Sequence, residues 1–210
     1  MSLQFRLSQF EMDMELYIVF LLEHHDELNL PYSFAMKLSF IASPLVLGKA
    51  LMIFNEEPYE IIGTAGFVYG TGAHDYEDQH ICQVEVAFIK KAYRRTFVFV
   101  QGLKELVNAI KADNEAVKQV QFWTSVDQLE LDRLLDKFTL LPHATKSIVN
   151  NMAFYTIPFK NWSLFASDCE TPGEWLKHKQ GLRYPWGAFF IFSLKSQGAL
   201  QNHNNSLIFR

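Results

Sequence analysis

The sequence predicts an α/β (α+β) protein that contains several strands and helices and one β-hairpin. Segments with a two-residue apolar period, which is typical of strands, alternate with segments whose apolar residues recur every three or four positions, which is typical of amphipathic helices. Two strand-like segments are joined by a short turn-forming stretch, and this indicates a β-hairpin. An aromatic-rich extension follows the last predicted strand.

The composition is that of a globular protein with a substantial core. Of the 210 residues, 49% are hydrophobic and 20% are charged. The net charge of −4 gives no basic footprint for nucleic acid. The sequence shows neither a leader-like pattern nor an apolar run of about 18 residues, so we expect no membrane partner and a cytoplasmic location.

Cysteine and histidine residues do not indicate a metal site or a disulfide framework. Cys82 and Cys169 are too few for such a framework. His24 and His25 are adjacent beside Asp26 at the end of a predicted helix. Because neighbours on a helix point in different directions, we interpret these histidines as solvated and expect no metal.

The first half of the chain is predicted to contain a strand, two helices and a hairpin. Phe5 and Leu7 alternate with polar residues in the first strand, and Ser43-Pro44 is expected to end the second helix. Glu56-Glu57-Pro58 is the predicted hairpin turn. The predicted bounds are 4–10 for the strand, 11–29 and 32–42 for the helices, and 50–55 and 60–69 for the hairpin strands.

The stretch 81–114 is the candidate ligand site. A polar loop leads into a central strand, Ile81–Ile89, whose even-numbered and odd-numbered residues are predicted to face opposite sides. A basic turn, Lys90 to Arg95, then precedes a helix whose apolar stripe includes Val100 and Leu103. A strand that leads through a basic turn into a helix N-terminus can hold an anion with backbone N–H groups and the helix dipole.

The chain is predicted to close with a strand, a helix and two further strands. Their predicted bounds are 117–126, 127–138, 147–149 and 152–159. The last strand is expected to be an edge strand, because Pro158 cannot donate a hydrogen bond to the ladder. The extension, 160–210, contains Trp162, Trp175 and Trp186, and we expect it to pack on the domain or on a partner subunit, the latter giving a homodimer.

The order of these elements resembles the GNAT-type N-acetyltransferases. The local match is Phe88–Arg95, FIKKAYRR, in which Ile89 stands five positions before Arg94, as in the family. The segment 134–138 is similar to the end of the family's fourth helix. The resemblance covers about residues 3 to 159 and implies a GNAT-like acyltransferase domain over 1–159, with a mixed, largely antiparallel central sheet flanked by helices.

The resemblance implies an acetyl-CoA cofactor whose pyrophosphate lies at the start of the helix and whose pantetheine arm lies along the central strand. The implied cofactor-binding residues are Phe88, Ile89, Arg94, Arg95, Thr96, Phe97, Val98, Phe99 and Val100. Glu85, four residues before Ile89, is the implied general base for a small-molecule or peptide amine, which attacks the thioester in a ternary complex. The alternative for Glu85 is an exposed strand carboxylate, and for the two arginines a solvated surface charge.

Two departures from the family pattern keep a second function open. Phe97 and Phe99 stand where the family's phosphate loop has glycines, which let the backbone approach the pyrophosphate. Leu135 stands where the family often has a tyrosine general acid, so Tyr93, Tyr155 or water would have to donate the proton. The competing prediction is a GNAT-like module without catalysis, which senses CoA or binds a protein.

A third hypothesis is an enzyme that uses another acyl donor and a cysteine nucleophile. Cys82 is the candidate nucleophile, and His80 is its nearest histidine in the sequence. A buried structural thiol is the more common role of a cysteine in a strand. The acidic loop Asp75–Asp78 is a candidate attraction site for a cationic amine, although a short acidic loop is usually solvated.

Overall fold

A computed structural model describes residues 2–28, 31–94, 96–127 and 135–168. The strands are β1 (Leu3–Leu7), β2 (Gly48–Glu56), β3 (Tyr59–Tyr69), β4 (Ile81–Ile89), β5 (Gln119–Ser125), β6 (Thr145–Val149) and β7 (Met152–Pro158). The helices are α1 (Glu11–Glu23), α2 (Phe34–Leu47), α3 (Val98–Asp113) and α4 (Phe159–Asp168).

The strands form one seven-stranded sheet in the order β1-β2-β3-β4-β5-β7-β6. Every neighbouring pair is antiparallel except β4 and β5, which are parallel. A parallel pair needs a crossover connection, and α3 provides it. The predicted fold class is therefore confirmed, including the β2–β3 hairpin.

The sheet separates two apolar cores. On one face, α1 and α2 cover a cluster that includes Tyr17, Phe20 and Phe88. On the other face, α3 and α4 cover a larger cluster that includes Val84 and Trp162. The two faces of β4 therefore lie in different surroundings.

The parallel strands β4 and β5 separate partway along their length. They pair from Ile81 with Gln119 to Val84 with Phe122, and the ladder ends there. β4 nevertheless continues to Ile89 and β5 to Ser125. The backbone of β4 beyond Val84 thus has an edge toward β5 that no strand of the described residues occupies.

A β-bulge in β4 overturns the predicted alternation of its faces. Gly66 of β3 pairs with Val86, and the next residue, Phe67, pairs with Val84, so Glu85 is an extra residue on β4. Before the bulge, Cys82 and Val84 face the α3 side; after it, Val86 and Phe88 face the α1–α2 side. Regular alternation cannot describe a strand that contains an extra residue.

Two predictions based on proline are wrong. Helix α2 does not stop at Ser43-Pro44 but continues to Leu47, with Pro44 buried and the N–H of Gly48 donating to the Pro44 carbonyl. Strand β7 lies between β5 and β6, so β6 is the edge strand. Because Pro158 is the last residue of β7, its missing N–H does not interrupt the ladder.

The core continues past residue 159, where the sequence predicted the end of the domain. Trp162 and Ala166 of α4 are buried in the α3-side cluster. Trp175 and Trp186 of the predicted extension lie outside the described residues, as does most of the helix predicted over 127–138. Of that helix, the structure describes a 3₁₀ turn at Asp136–Leu140.

Candidate active site

Glu85 occupies the bulge at the point where β4 and β5 separate. It follows Val84, the last residue of β4 that pairs with β5. Its residue exposure is only 3%, so it is not the exposed strand carboxylate that was the alternative interpretation. A buried carboxylate at a strand irregularity is an arrangement commonly found at functional sites.

The two carboxylate oxygens of Glu85 have different surroundings. Oε1 accepts a hydrogen bond of 3.0 Å from Nε2 of Gln83. Oε2 is buried and has no hydrogen-bond partner among the described residues. Burial raises the pKa of Glu85 to about 7, and the hydrogen bond from Gln83 opposes this shift. Near neutral pH the group can therefore both accept and release a proton.

A row of glutamine side chains leads from β5 to Glu85. Nε2 of Gln121 donates to Oε1 of Gln83 at 2.6 Å. Nε2 of Gln119 donates in turn to Oε1 of Gln121 at 3.3 Å. Sequence patterns do not single out these residues as functional, although a signal is present: Gln83 and Gln121 are each flanked on both sides by apolar residues, and both strands are largely buried.

Two tyrosines lie within the electrostatic field of Glu85. Burial, and secondarily the charge of Glu85, raises the pKa of Tyr17 and of Tyr76, so both hydroxyls remain protonated. A Cβ on Gly66 would clash with the Tyr17 Oη, so the glycine lets α1 approach β3 opposite the bulge. The Tyr17 hydroxyl is buried and has no hydrogen-bond partner in the described part of the chain. In the sequence, Tyr17 had the appearance of a core residue in a helical stripe.

The start of α3 provides backbone donors near the end of β4. Thr96 Oγ1 donates to the Tyr93 carbonyl at 2.8 Å and accepts a hydrogen bond of 3.2 Å from the N–H of Val98. The N–H group of Val100 lies in the first helical turn, where the helix itself offers no carbonyl acceptor. Such a donor can hold an anion.

The two phenylalanines at this helix start are partly buried. They do not project fully into solvent over the backbone donors. Phe97 is the residue before α3 and is half-buried. Phe99 packs against the clusters beneath α3. Val98 is fully buried and Val100 is half-buried. The bulk of Phe99 therefore contributes to the core.

Arg94 makes intramolecular contacts at the end of β4. Its side chain is only 3% exposed. Nε donates to the Ile89 carbonyl at 2.6 Å, and Nη2 donates to Oε2 of Glu27 at 3.1 Å. The guanidinium also lies over the ring of Phe88, 5.2 Å from its centroid. Arg94 thus joins the segment after α1 to the end of β4, which the solvated-charge interpretation did not anticipate.

The other basic residues of this turn differ in their availability. Lys90 forms an ion pair with Glu60 at 2.7 Å, and the Tyr93 hydroxyl donates to the same carboxylate at 2.8 Å. Both contacts lower the pKa of Glu60. Lys91 is exposed. Arg95, the second predicted arginine, lies outside the described residues.

An apolar pocket lies between the sheet and α3. Gly102 brings α3 close to β2, since a Cβ there would lie 2.9 Å from Cδ1 of Ile53. The pocket reaches from the helix to the place where β4 and β5 separate. Its lining includes Val84, Ala87, Phe99, Leu103, Phe122 and Trp162.

The other candidate catalytic groups are either buried or engaged in hydrogen bonds to other side chains. Cys82 is fully buried, and burial, followed by the charge of Asp113, raises the pKa of its thiol, which disfavours the nucleophilic thiolate. The Tyr93 and Tyr155 hydroxyls donate to Glu60 and Asp136, at 2.8 and 3.4 Å.

Neither a metal centre nor a membrane helix is found in the parts of the chain that the structure describes. There, no three His, Cys, Asp or Glu side chains converge as metal ligands would. Among the same residues, no helix combines the length and apolar character needed to cross a bilayer.

Solved structures of GNAT acetyltransferases share this fold. A GNAT-family acetyltransferase from Streptococcus pneumoniae is 12% identical, with a TM-score of 0.51 over 75% of this chain and 99% of that chain. The ribosomal-protein-S5-alanine acetyltransferase from Vibrio fischeri is 10% identical, with a TM-score of 0.53 over 76% and 94%. A chain of a NatC complex bound to Gag peptide and CoA is 13% identical, with a TM-score of 0.53 over 75% and 99%.

No protein-family model and no curated protein sequence matches the chain. At identities of 10 to 13% the structural likeness establishes the fold. The GNAT-type fold predicted from the order of elements is therefore confirmed.

Proposed function

We propose that the protein is an acetyl-CoA-dependent N-acetyltransferase that moves an acetyl group to a primary amine in a ternary complex. The observation that carries this proposal is the buried carboxylate of Glu85, with a pKa of about 7 and one oxygen without a hydrogen-bond partner in the described chain. A general base works best when its pKa lies near the operating pH. The GNAT-type fold supports the same reaction class by analogy.

The proposed cofactor site lies along β4 and the start of α3. The N–H group of Val100, in the first turn of α3, would donate to the pyrophosphate, and Lys91 and Arg95 would add positive charge. The pantetheine arm would lie along the edge of β4 beyond Val84, whose backbone groups β5 does not pair. The NatC structure of similar fold contains CoA, which agrees with this choice of cofactor.

Arg94 has a different proposed part in cofactor binding from Arg95. Its contacts with Ile89 and Glu27 fix the turn between β4 and α3. We propose that Arg94 positions the backbone donors of this turn, and that Thr96 does the same through its two hydrogen bonds. Phe88 supports Arg94 from below, and Val98 anchors the helix start in the core.

In the proposed reaction, Glu85 accepts a proton from the substrate ammonium group, directly or through water. The neutral amine nitrogen then attacks the thioester carbonyl carbon and forms the new C–N bond, while the C–S bond breaks. CoA leaves as a thiolate and takes up a proton. Because acetyl-CoA and the amine are held together, much of the rate acceleration would come from positioning.

The acceptor would approach from the α1–α2 side of the sheet, where Glu85 shares its surroundings with Tyr17. We propose a small-molecule or peptide amine as the acceptor. The Gag peptide in the NatC structure is an example of a peptide bound to a protein of this fold. A cationic amine would also be attracted to Asp75 and Glu77, the exposed carboxylates of the acidic loop at Asp75–Asp78.

Calorimetric titration with acetyl-CoA and CoA, followed by a thiol-release assay with a panel of amines, tests this function. We expect saturable binding of both ligands and thiol release with at least one amine. The panel should include polyamines, aminoglycosides and peptides with free N-termini or lysines. The matched control is Glu85→Gln, which should bind CoA normally but release little thiol.

A specific observation also favours the second candidate, a non-catalytic protein-binding module. The outer surfaces of α1 and α2, with the residue before α1, expose large hydrophobic side chains to solvent: Phe10, Met12, Leu16, Val19, Phe34, Met36, Leu38, Val46 and Leu47. The two helices contact each other, and exposed apolar surface of this kind is found at interaction sites. Absence of heat with acetyl-CoA up to millimolar concentration would favour this module over the enzyme.

A further inference from the structure

We propose that Gln83 and Gln121 form a side-chain relay that positions Glu85, holding its Oε1 and leaving Oε2 as the oxygen that accepts the proton. The relay connects β5 to β4 across the parallel strand pair. The role of Oε2 as proton acceptor rests on the proposed function, whereas the relay itself rests on the hydrogen bonds between these side chains. Gln83 and Gln121 are positioning residues in this proposal.

Glu85 needs such support because of its place in the bulge. The residue opposes no single residue of β3, since Val84 and Val86 pair with consecutive β3 residues. It also lies beyond the last β4–β5 pair. A carboxylate in this position has rotational freedom unless side chains fix it, and catalytic geometry tolerates little misplacement.

The relay has one direction. In each link the amide Nε2 donates toward the Glu85 end: Gln121 to Gln83 at 2.6 Å, and Gln83 to Glu85 at 3.0 Å. The outer Gln119 donates in the same sense at 3.3 Å. The positive ends of the amide dipoles therefore face the carboxylate, and hydrogen-bond chains of this kind polarise one another. The relay thus favours the ionised form of Glu85 against the effect of burial.

The residues of the relay are as buried as the carboxylate they serve. Gln83 is 6% exposed, Gln121 is 7% exposed and Glu85 is 3% exposed. Gln83 and Gln121 also face each other in the β4–β5 register, one pair before the strands separate. Buried amides are stable only when their hydrogen bonds are made, so this row of contacts is under strong energetic constraint.

The titratable groups near the carboxylate do not replace the relay. Tyr17 on α1 and Tyr76 in the loop before β4 are close enough to Glu85 that, after burial, its charge also raises their pKa. Both hydroxyls remain neutral because burial raises their pKa. Within the described residues, Gln83 is the hydrogen-bond donor to the carboxylate, and Gln121 orients Gln83.

A double-mutant cycle measured against pH tests the relay in the full-length protein without any substrate. Unfolding free energies are measured by denaturant titration between pH 4 and 9 for the wild type, Glu85→Gln, Gln121→Met and the double variant. The difference between each protein and its Glu85→Gln partner reports the pH at which Glu85 titrates. Methionine keeps the length of glutamine but provides no amide.

We expect the titration midpoint of Glu85 to move upward by roughly one pH unit in the Gln121→Met background, because loss of the relay weakens support for the anion. Gln83→Met, which removes the direct donor, should move it further. If Gln121→Met fails to fold, Gln83→Met alone decides the question. Identical midpoints in the variant backgrounds and the wild type would overturn the proposal, because a merely structural glutamine would leave the pH dependence unchanged.

Thr124→Val is the matched control. Thr124 lies on β5 like Gln121, is 1% exposed, and belongs to the alternate set of β5 residues that faces away from Gln121. The isosteric change should leave the Glu85 midpoint where it is in the wild type. If Thr124→Val shifted the midpoint as much as Gln121→Met does, the effect would follow from the loss of any polar side chain on β5. That result would overturn the relay.

An activity profile separates this proposal from the proposed function. Where an acceptor is found, the acidic limb of the kcat/KM profile of Gln121→Met should shift by the same interval as the stability midpoint. A shifted stability midpoint in a protein without acetyl transfer would leave the relay intact and count against the enzyme. Acetyl transfer by a protein whose stability midpoints do not shift would support the enzyme and overturn the relay.

Discussion

The two faces of β4 differ sharply, although the same nine-residue strand provides both. The face toward α3 borders a pocket whose lining is almost entirely apolar. The face toward α1 and α2 includes Glu85, held by Gln83 near the hydroxyl of Tyr17. A single extra residue in the strand, Glu85, produces this contrast. Regular alternation would place Val86 and Phe88 on the α3 side, whereas the bulge places them on the α1–α2 side.

This contrast suggests a division of tasks within the proposed enzyme. An apolar groove with backbone donors at one end suits a long cofactor with a terminal pyrophosphate. A buried carboxylate with a raised pKa suits proton removal from an amine. The following predictions separate these tasks, beginning with the largest expected effect.

Glu85→Gln should lower turnover by about 10²- to 10⁴-fold, which is the usual contribution of a general base. The dissociation constant for CoA should change little, because the carboxylate lies on the other face from the proposed cofactor groove. Steady-state kinetics give the first quantity, and calorimetry gives the second. Equal turnover in the variant and the wild type would show that Glu85 is not the base. Weakened CoA binding with unchanged turnover would instead indicate that Glu85 contributes to cofactor binding.

The same substitution should stabilise the protein at alkaline pH. The pKa of Glu85 rises from 4.5 to about 7 on folding, so the folded state binds the proton more tightly. The contribution of Glu85 to stability is then largest below pH 4.5 and is lost as the pH rises through 7. Glu85→Gln should therefore be about as stable as the wild type at pH 4 and about 3 kcal/mol more stable at pH 8. Denaturant unfolding at the two pH values measures this, and a difference independent of pH would contradict it.

Arg94→Ala should destabilise the fold by about 2 kcal/mol, since it removes a buried guanidinium that donates to the Ile89 carbonyl and pairs with the exposed Glu27. CoA affinity should fall as well, because the turn loses its support. Chemical denaturation measures the first effect, and calorimetry measures the second. Unchanged stability together with a large loss of CoA affinity would instead indicate direct phosphate contact.

Lys91→Ala should weaken CoA binding by only about 0.5 to 1 kcal/mol, as expected for an exposed charge near an anion. The fold should be unaffected, because Lys91 is exposed. Lys111→Ala, an exposed lysine in the last turn of α3, is the matched control and should not alter affinity. In CoA titrations, the affinities of the two variants should differ at low salt and converge at high salt, where the charges are screened. An equal loss of affinity in both variants would exclude a local phosphate site.

Much of the fold was predictable because local patterns dominate it. The bounds of β4 agree with the predicted strand at both ends, since apolar residues fill it and turn residues flank it. The hairpin and the α3 stripe follow from the same local signals. The end of α2 was predicted wrongly, because the packing of the buried Pro44 against Gly66 of β3 outweighs the preference of proline for a helix terminus.

The sequence by itself determined the class of fold, the strand that leads into the basic turn, and the identity of the candidate base. The apolar periodicity of the sequence is a local property. Short-range backbone sterics and the burial of apolar side chains are sufficient to turn it into strands and helices. Only the tertiary structure decided that Glu85 is buried in a bulge, that Gln121 reaches it through Gln83, and that Arg94 joins Glu27. These features depend on register and contact between segments far apart in the chain, which no local pattern encodes.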